Sequence, residues 1–115
     1  MPVVEIIEDA ELREWDTRMF TFKRDGIRIE AFVARVDGKV VAYENLCRHL
    51  PVSLDYGDGR VWDSKKRFFV CFTHGARYEP RTGKCVEGPC GGASLHVIET
   101  ELKDTMIVLS EGQSD

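Results

Sequence analysis

The sequence predicts an all-β protein built from short antiparallel strands, and three observations carry that prediction. Apolar and polar residues alternate with period two in two neighbouring stretches, with Phe20 and Phe22 in 19–23 and Ile27, Ile29, Ala31 and Val33 in 27–33, the pattern of a half-buried strand. Asp25-Gly26 and Asp37-Gly38 fall between successive runs, a strong hairpin-turn signal because Gly tolerates positive φ. Only 9–15 reads as a helical turn.

Taken in order, 3–7 is a first strand. Residues 19–23, 27–33 and 39–43 then form a three-stranded antiparallel meander. Beyond Tyr43 the texture changes. Residues 45–59 are rich in Pro, Gly, Asp and Ser and read as a long loop; 66–72 is a short strand; 75–92 is again turn-rich, with Thr82-Gly83 and Gly88-Pro89. Two closing strands, 94–100 and 105–110, are joined by a polar turn at 101–104, and 111–115 reads as a disordered tail. Long loops inside a compact domain need a physical reason. A metal centre cross-linking the two loops would supply one.

Composition narrows the classes. The 115 residues suit one domain, and 43% hydrophobic with 31% charged residues is a globular balance. A net charge of −4 argues against a nucleic-acid partner. No stretch reaches the roughly 18–20 apolar residues of a membrane span, and Met1-Pro2-Val3-Val4-Glu5 lacks the features of a secretory signal. The expected setting is therefore cytoplasmic, without a membrane partner. There, four cysteines favour metal binding or redox chemistry over structural disulfides.

The chemistry sits in Cys47-Arg48-His49 and Cys71-Phe72-Thr73-His74. Each segment offers one thiolate and one imidazole, two or three residues apart, so each loop can turn two ligands toward one centre. As bare spacings, four such ligands could complete either a zinc tetrahedron or a two-iron cluster. The alternative without any metal is four unrelated core residues.

The arrangement resembles the signature of Rieske-type [2Fe–2S] proteins, Cys-x-His followed by Cys-x-x-His. The resemblance continues through Gly75, Tyr78-Glu79, Thr82-Gly83 and Gly88-Pro89, covering roughly 38–109. It implies the Rieske fold: an antiparallel β-sandwich or barrel-like base carrying a small cluster-binding subdomain made of loops. On this reading 1–110 is a single Rieske domain, with the subdomain at about 44–92. It also implies that Cys47 and Cys71 bind one iron and His49 and His74 the other. Gly75, Tyr78 and Pro89 would lie around them, with Gly88-Pro89 in a third loop covering the cluster. A [2Fe–2S] core with two thiolates and two neutral imidazoles is formally neutral when oxidised, so it accepts an electron more readily than a four-thiolate cluster. Potentials of this class span about −150 to +300 mV.

Departures from the family pattern tune that expectation. Respiratory members carry an extra cysteine in each box, forming a disulfide brace; here those positions hold Val52 and Thr73. Ala76 replaces the serine that high-potential members place two residues after the second histidine, while Tyr78 keeps a hydroxyl that can donate to a cluster cysteine. A low-to-middle potential follows. Pro51 stands where many relatives have Gly. Cys85 and Cys90 read as small buried thiols, with a disulfide or redox-responsive pair as the alternative. His96 reads as a surface or packed residue. Arg48, Arg77, Arg81 and Lys65-Lys66-Arg67 read as a solvated face, with Arg48 a candidate for docking an acidic partner. Leu50 and Pro51 read as an apolar cap over the histidines.

The resemblance implies a ferredoxin and not an enzyme: a one-electron carrier between a flavin-containing reductase and a terminal oxygenase or other oxidoreductase. Two other functions fit less of the sequence. One is the small Rieske subunit of a larger oxidoreductase, similar to that of nitrite reductase; the other is a Cys₂His₂ zinc-binding module.

Overall fold

The computed structural model describes residues 3–47, 52–55, 59–63, 65, 67–72, 75–89 and 92–111. Among the described residues the regular elements are nine strands and one short 3₁₀ turn. They are β1 (Val3–Glu8), β2 (Thr17–Arg24), β3 (Ile27–Val36), β4 (Lys39–Glu44), β5 (Phe69–Val70), β6 (Arg77–Tyr78), β7 (Cys85–Glu87), β8 (Glu99–Lys103) and β9 (Met106–Ser110). The strands form three antiparallel sheets, ordered β1-β9-β8, β2-β3-β4 and β5-β6-β7. The fold is all-β.

The meander forms where the Asp-Gly turns demand it. Arg24 pairs with Ile27 and Val36 with Lys39, and both residues of each turn sit at positive φ. That is the two-residue geometry whose twist matches antiparallel strands. Residues 9–15, expected as a helical turn, are helical only over Asp9–Glu11. Trp15 then takes a φ of 66° and donates its amide to the Arg35 carbonyl, so pairing with the end of β3 outweighs local helix formation.

Strand β3 is the centre of the molecule. Ala31, Phe32, Val33 and Ala34 are all fully buried, because both faces of its sheet are covered, a condition that turns alternation into a continuous apolar run. Ala31 and Val33 face a first core with Phe20, Phe22, Ala42, Ile7, Ile98, Ile107 and Leu109. Phe32, Ala34 and Val36 face a second with Tyr43, Phe69, Leu54, Val61, Tyr78 and Leu95. The expected in-and-out alternation of 27–33 thus has two insides. Its start has neither: Ile27 stays exposed.

The second core is aromatic. The rings of Phe32, Tyr43 and Phe69 meet at 5.0–5.9 Å between centroids, with Trp62 4.6 Å from Phe69. The Tyr43 hydroxyl donates to the Pro80 carbonyl at 2.8 Å. Burial pushes this phenol well above its usual range, and the charge of Glu79 adds to the shift.

The last third of the chain stitches these layers together. Ser94 bridges to Lys84, the Leu95 amide donates to Gly83, Val97 bridges to Tyr43, and the Ile98 amide donates to Ala42. Residues 94–98 therefore cross from the small sheet to the central one. Regular strand starts only at Glu99 and runs to Lys103, through the segment expected as a turn. Pairing with β9 from Glu99↔Ser110 to Lys103↔Met106 overrides its polar composition. Likewise 66–72 narrows to β5, which pairs back onto the segment before it: the Asp63 amide donates to the Phe68 carbonyl and the Val70 amide to Val61. Among the described residues no helix is long and apolar enough to cross a membrane.

Candidate metal centre

The first ligand loop grows from the end of β4. Glu44 there is nearly buried and ion-paired with Arg24 at 2.8 Å. Hydrogen bonds that the Arg24 guanidinium donates to Glu44 and Glu111 hold it above its usual value, although burial opposes the shift. The Asn45 amide donates to the Glu30 carbonyl, and Cys47 donates to the Val52 carbonyl at 2.7 Å, closing the loop that starts at the cysteine. The second loop leaves β5 and returns into β6. Cys71 donates to Ala76, Gly75 donates back to Cys71 at 2.7 Å, and Phe72 donates to Leu54 at 2.9 Å, tying the second loop to the first.

These bonds bring Cys47 and Cys71 into one core, 3% and 0% exposed, beside Ala76, Leu54 and Tyr78. Neither cysteine is in a disulfide. The Tyr78 hydroxyl lies 3.6 Å from Cys47 Sγ, within hydrogen-bonding distance of sulfur. Two buried soft sulfurs on adjacent closed loops, one beside a hydroxyl, fit a thiolate-ligated iron–sulfur group. His49 and His74 lie outside the described residues, as do Arg48, Leu50, Pro51, Thr73 and Cys90. Accordingly, no group of three metal-binding side chains occurs among the described residues.

The third loop lies against the second. Gly88 has φ +96°, and a Cβ there would stand 2.8 Å from Ala76 Cα and 3.3 Å from the Gly75 carbonyl oxygen. Only a glycine lets the backbone pass this close. Gly75 also has positive φ, with open space around it. Pro89 is exposed at the surface of this segment. Cys85, buried in β7 opposite Tyr78, departs from the expected thiol: it is disulfide-bonded. The sequence offers a disulfide here only as the alternative reading, since two cysteines five positions apart are bridged only where the backbone sets their sulfurs at bonding geometry.

The basic residues are less free than a solvated face suggests. Arg77 pairs with Asp63 at 3.3 Å and lies over the Phe68 ring. Arg81 is ion-paired with Asp37 and Glu79. Lys65 and Arg67 are exposed, as is His96. Three residues that motif reading passes over hold the loops: buried Asn45, Asp55 and Asp63. Asp63 accepts the Arg67 and Phe68 amides and so shapes the hairpin that delivers β5. Asn and Asp inside turn-rich segments were the available signal, since their side chains cap backbone amides locally.

Comparison with known proteins agrees with this geometry. No curated protein matches the chain in sequence. Among solved structures, the ferredoxin of carbazole 1,9a-dioxygenase from Nocardioides aromaticivorans IC177 superimposes with a TM-score of 0.70 at 25% identity, covering 97% of this chain and 100% of that one. The terminal oxygenase of carbazole 1,9a-dioxygenase from Novosphingobium sp. KA1 gives a TM-score of 0.75 at 22% identity, covering 99% of this chain but 31% of the oxygenase. A complex of reduced oxygenase and oxidised ferredoxin of carbazole 1,9a-dioxygenase gives 0.70 at 23% identity, covering 99% of this chain and 94% of the matched one. The sequence profile of the Rieske [2Fe–2S] domain matches residues 3–104. With its two sulfurs converging from separate loops and that match spanning most of its length, the chain belongs to the Rieske [2Fe–2S] domain family.

Proposed function

We propose that this protein is a ferredoxin, a one-electron carrier whose [2Fe–2S] cluster is held by Cys47 and Cys71 on one iron and by His49 and His74 on the other. The observation that carries the proposal is the meeting of the two cysteines in one buried core, on loops tied together by the Phe72–Leu54 hydrogen bond. The cluster, when bound, supplies a reversible one-electron couple. The chain's own residues do the rest. Leu54, Ala76 and the aromatic core keep water from the sulfurs, and the Tyr78 hydroxyl stands where a donor to Cys47 favours the reduced state. Gly75 and Pro89 are assigned to the surrounding shell, Gly75 as the turn of the second loop and Pro89 in the segment packed against it.

A match along the whole of a dioxygenase ferredoxin supports the carrier role. A terminal oxygenase is the proposed acceptor, and the family resemblance adds a flavin-containing reductase as donor and a cytoplasmic setting. The proposal treats 1–110 as one domain, with 44–92 as the cluster-binding part.

The test is direct. Anaerobically purified protein should contain equal iron and acid-labile sulfide. When reduced, it should give an electron paramagnetic resonance signal averaging below the free-electron g-value. It should also pass electrons from an NADH-reduced flavoprotein to an oxygenase in single-turnover mixing. Colourless protein with stoichiometric zinc would refute the proposal.

A further inference from the structure

We propose that Asn45 and Asp55 form a polar clamp that holds the two ligand loops in register, taking the place of a covalent brace. The inference rests on the ligand assignment above. Asn45 and Asp55 are 4% and 7% exposed, and each polar atom of both side chains has a hydrogen-bond partner. Asn45 Oδ1 accepts the Leu54 amide at 2.8 Å, and Asn45 Nδ2 donates to Asp55 Oδ1 at 2.9 Å. Asp55 Oδ2 accepts the Gly59 amide at 2.8 Å.

Leu54 is the residue on which the loops meet. Its amide is held by Asn45, two residues before Cys47, and its carbonyl accepts from Phe72, the residue after Cys71. Its side chain is fully buried beside both cysteines. Asn45 is itself anchored to the central sheet through its amide bond to Glu30. A path of hydrogen bonds therefore runs from the rigid meander through Asn45 to Leu54 and on to the second loop. Val52 and Thr73 cannot supply a disulfide between the boxes. Buried amide and carboxylate groups whose polar atoms are each bonded favour one geometry, and a single mismatch sets donor against donor or acceptor against acceptor. Asn45 and Asp55 are thus positioning residues: they act on the cluster through the Leu54 peptide.

The donor and acceptor pattern allows a charge-neutral test. Asn45→Asp keeps an oxygen for the Leu54 amide but turns a second carboxylate onto Asp55. Asp55→Asn keeps one acceptor but presents its amide to another donor. The double variant Asn45→Asp/Asp55→Asn exchanges the two groups and restores all three bonds with the same net charge. On the anaerobic holoprotein, each single variant should lose its cluster to excess chelator about ten-fold faster and shift its midpoint potential and g-values. The double variant should return to within about two-fold of wild type, with wild-type g-values.

If the single variants do not fold, recovery of holoprotein by the double variant carries the same information. Lower melting temperatures with unchanged potentials and g-values would overturn the positioning role. So would a double variant no better than the singles. Wild-type protein lacking iron and sulfide would instead overturn the ligand assignment and the clamp with it. A clustered wild type whose variants show no rescue removes the clamp alone.

Discussion

The two cores on either side of β3 are built on different principles. The first is closed by long ladders: β2 pairs with β3 from Thr17↔Ala34 to Arg24↔Ile27, and β9 is paired on both sides. Its filling is Phe, Ile, Val, Leu and Ala, all but Leu12 and Ile98 delivered by regular strands. The second core is closed by strands of two or three residues and filled partly from loops, by Leu54, Val61 and Leu95. Its geometry is held by Asn45, Asp55 and Asp63 bonding backbone amides. One core is stabilised by many interchangeable apolar contacts. The other depends on a few specific polar ones, which is what positioning ligands to a fraction of an ångström requires.

Removing a ligand should separate the two cores most clearly. Cys71→Ser should abolish the visible cluster absorbance, with amide exchange accelerating through 47–89 while β2 and β3 stay protected. Uniform loss of protection over both cores would show that the base cannot stand without the metal centre.

Truncating the two cores comes next. Phe69→Ala, in the aromatic core, should cost about 3–5 kcal/mol, and Leu109→Ala, in the aliphatic one, about 2–5 kcal/mol. Only Phe69→Ala should also hasten cluster loss below the unfolding transition. Equal release rates in native buffer would erase the distinction between the cores.

A smaller effect is expected at the sulfur. Tyr78→Phe removes the hydroxyl 3.6 Å from Cys47 Sγ. It should lower the midpoint potential by roughly 40 mV, taking one hydrogen bond as about 1 kcal/mol for a one-electron couple. An unchanged potential in protein-film voltammetry would deny Tyr78 that role.

The smallest effect concerns pH. Burial raises the Tyr43 phenol above its unfolded value, so the folded chain keeps a proton that the unfolded chain loses above about pH 10. The stability linked to that proton is complete below about pH 10 and is lost as pH rises further. Tyr43→Phe should flatten this alkaline decline in urea melts of the apoprotein, while costing about 1 kcal/mol at neutral pH through the unanswered Pro80 carbonyl. Parallel declines in both proteins would assign the alkaline sensitivity elsewhere.

Much of this was legible in the chain. The Asp-Gly turns report their own backbone geometry, so the meander can be read without knowing what it packs against. The spacing of Cys47, His49, Cys71 and His74 carries its chemistry locally, and the glycines and Tyr78 that follow point to a Rieske cluster and not zinc. Less was legible where partners lie far apart in sequence. Phe32 reads as the outward residue of an alternating strand, yet a second core drawn from as far downstream as Leu95 covers it. Residues 94–98 read as ordinary strand, whereas they bridge two sheets before β8 begins. The polar stretch 101–104 reads as a turn because its pairing partner, β9, comes after it.

Turn positions and strand order in the meander are therefore properties of the sequence alone, because each depends on residues a few positions apart. The tertiary structure decided which faces of β3 are buried, and that the Leu54 peptide is bonded by Asn45 on one side and Phe72 on the other. Those outcomes depend on groups that meet only after the layers have packed, and burial then makes every unmet hydrogen bond costly.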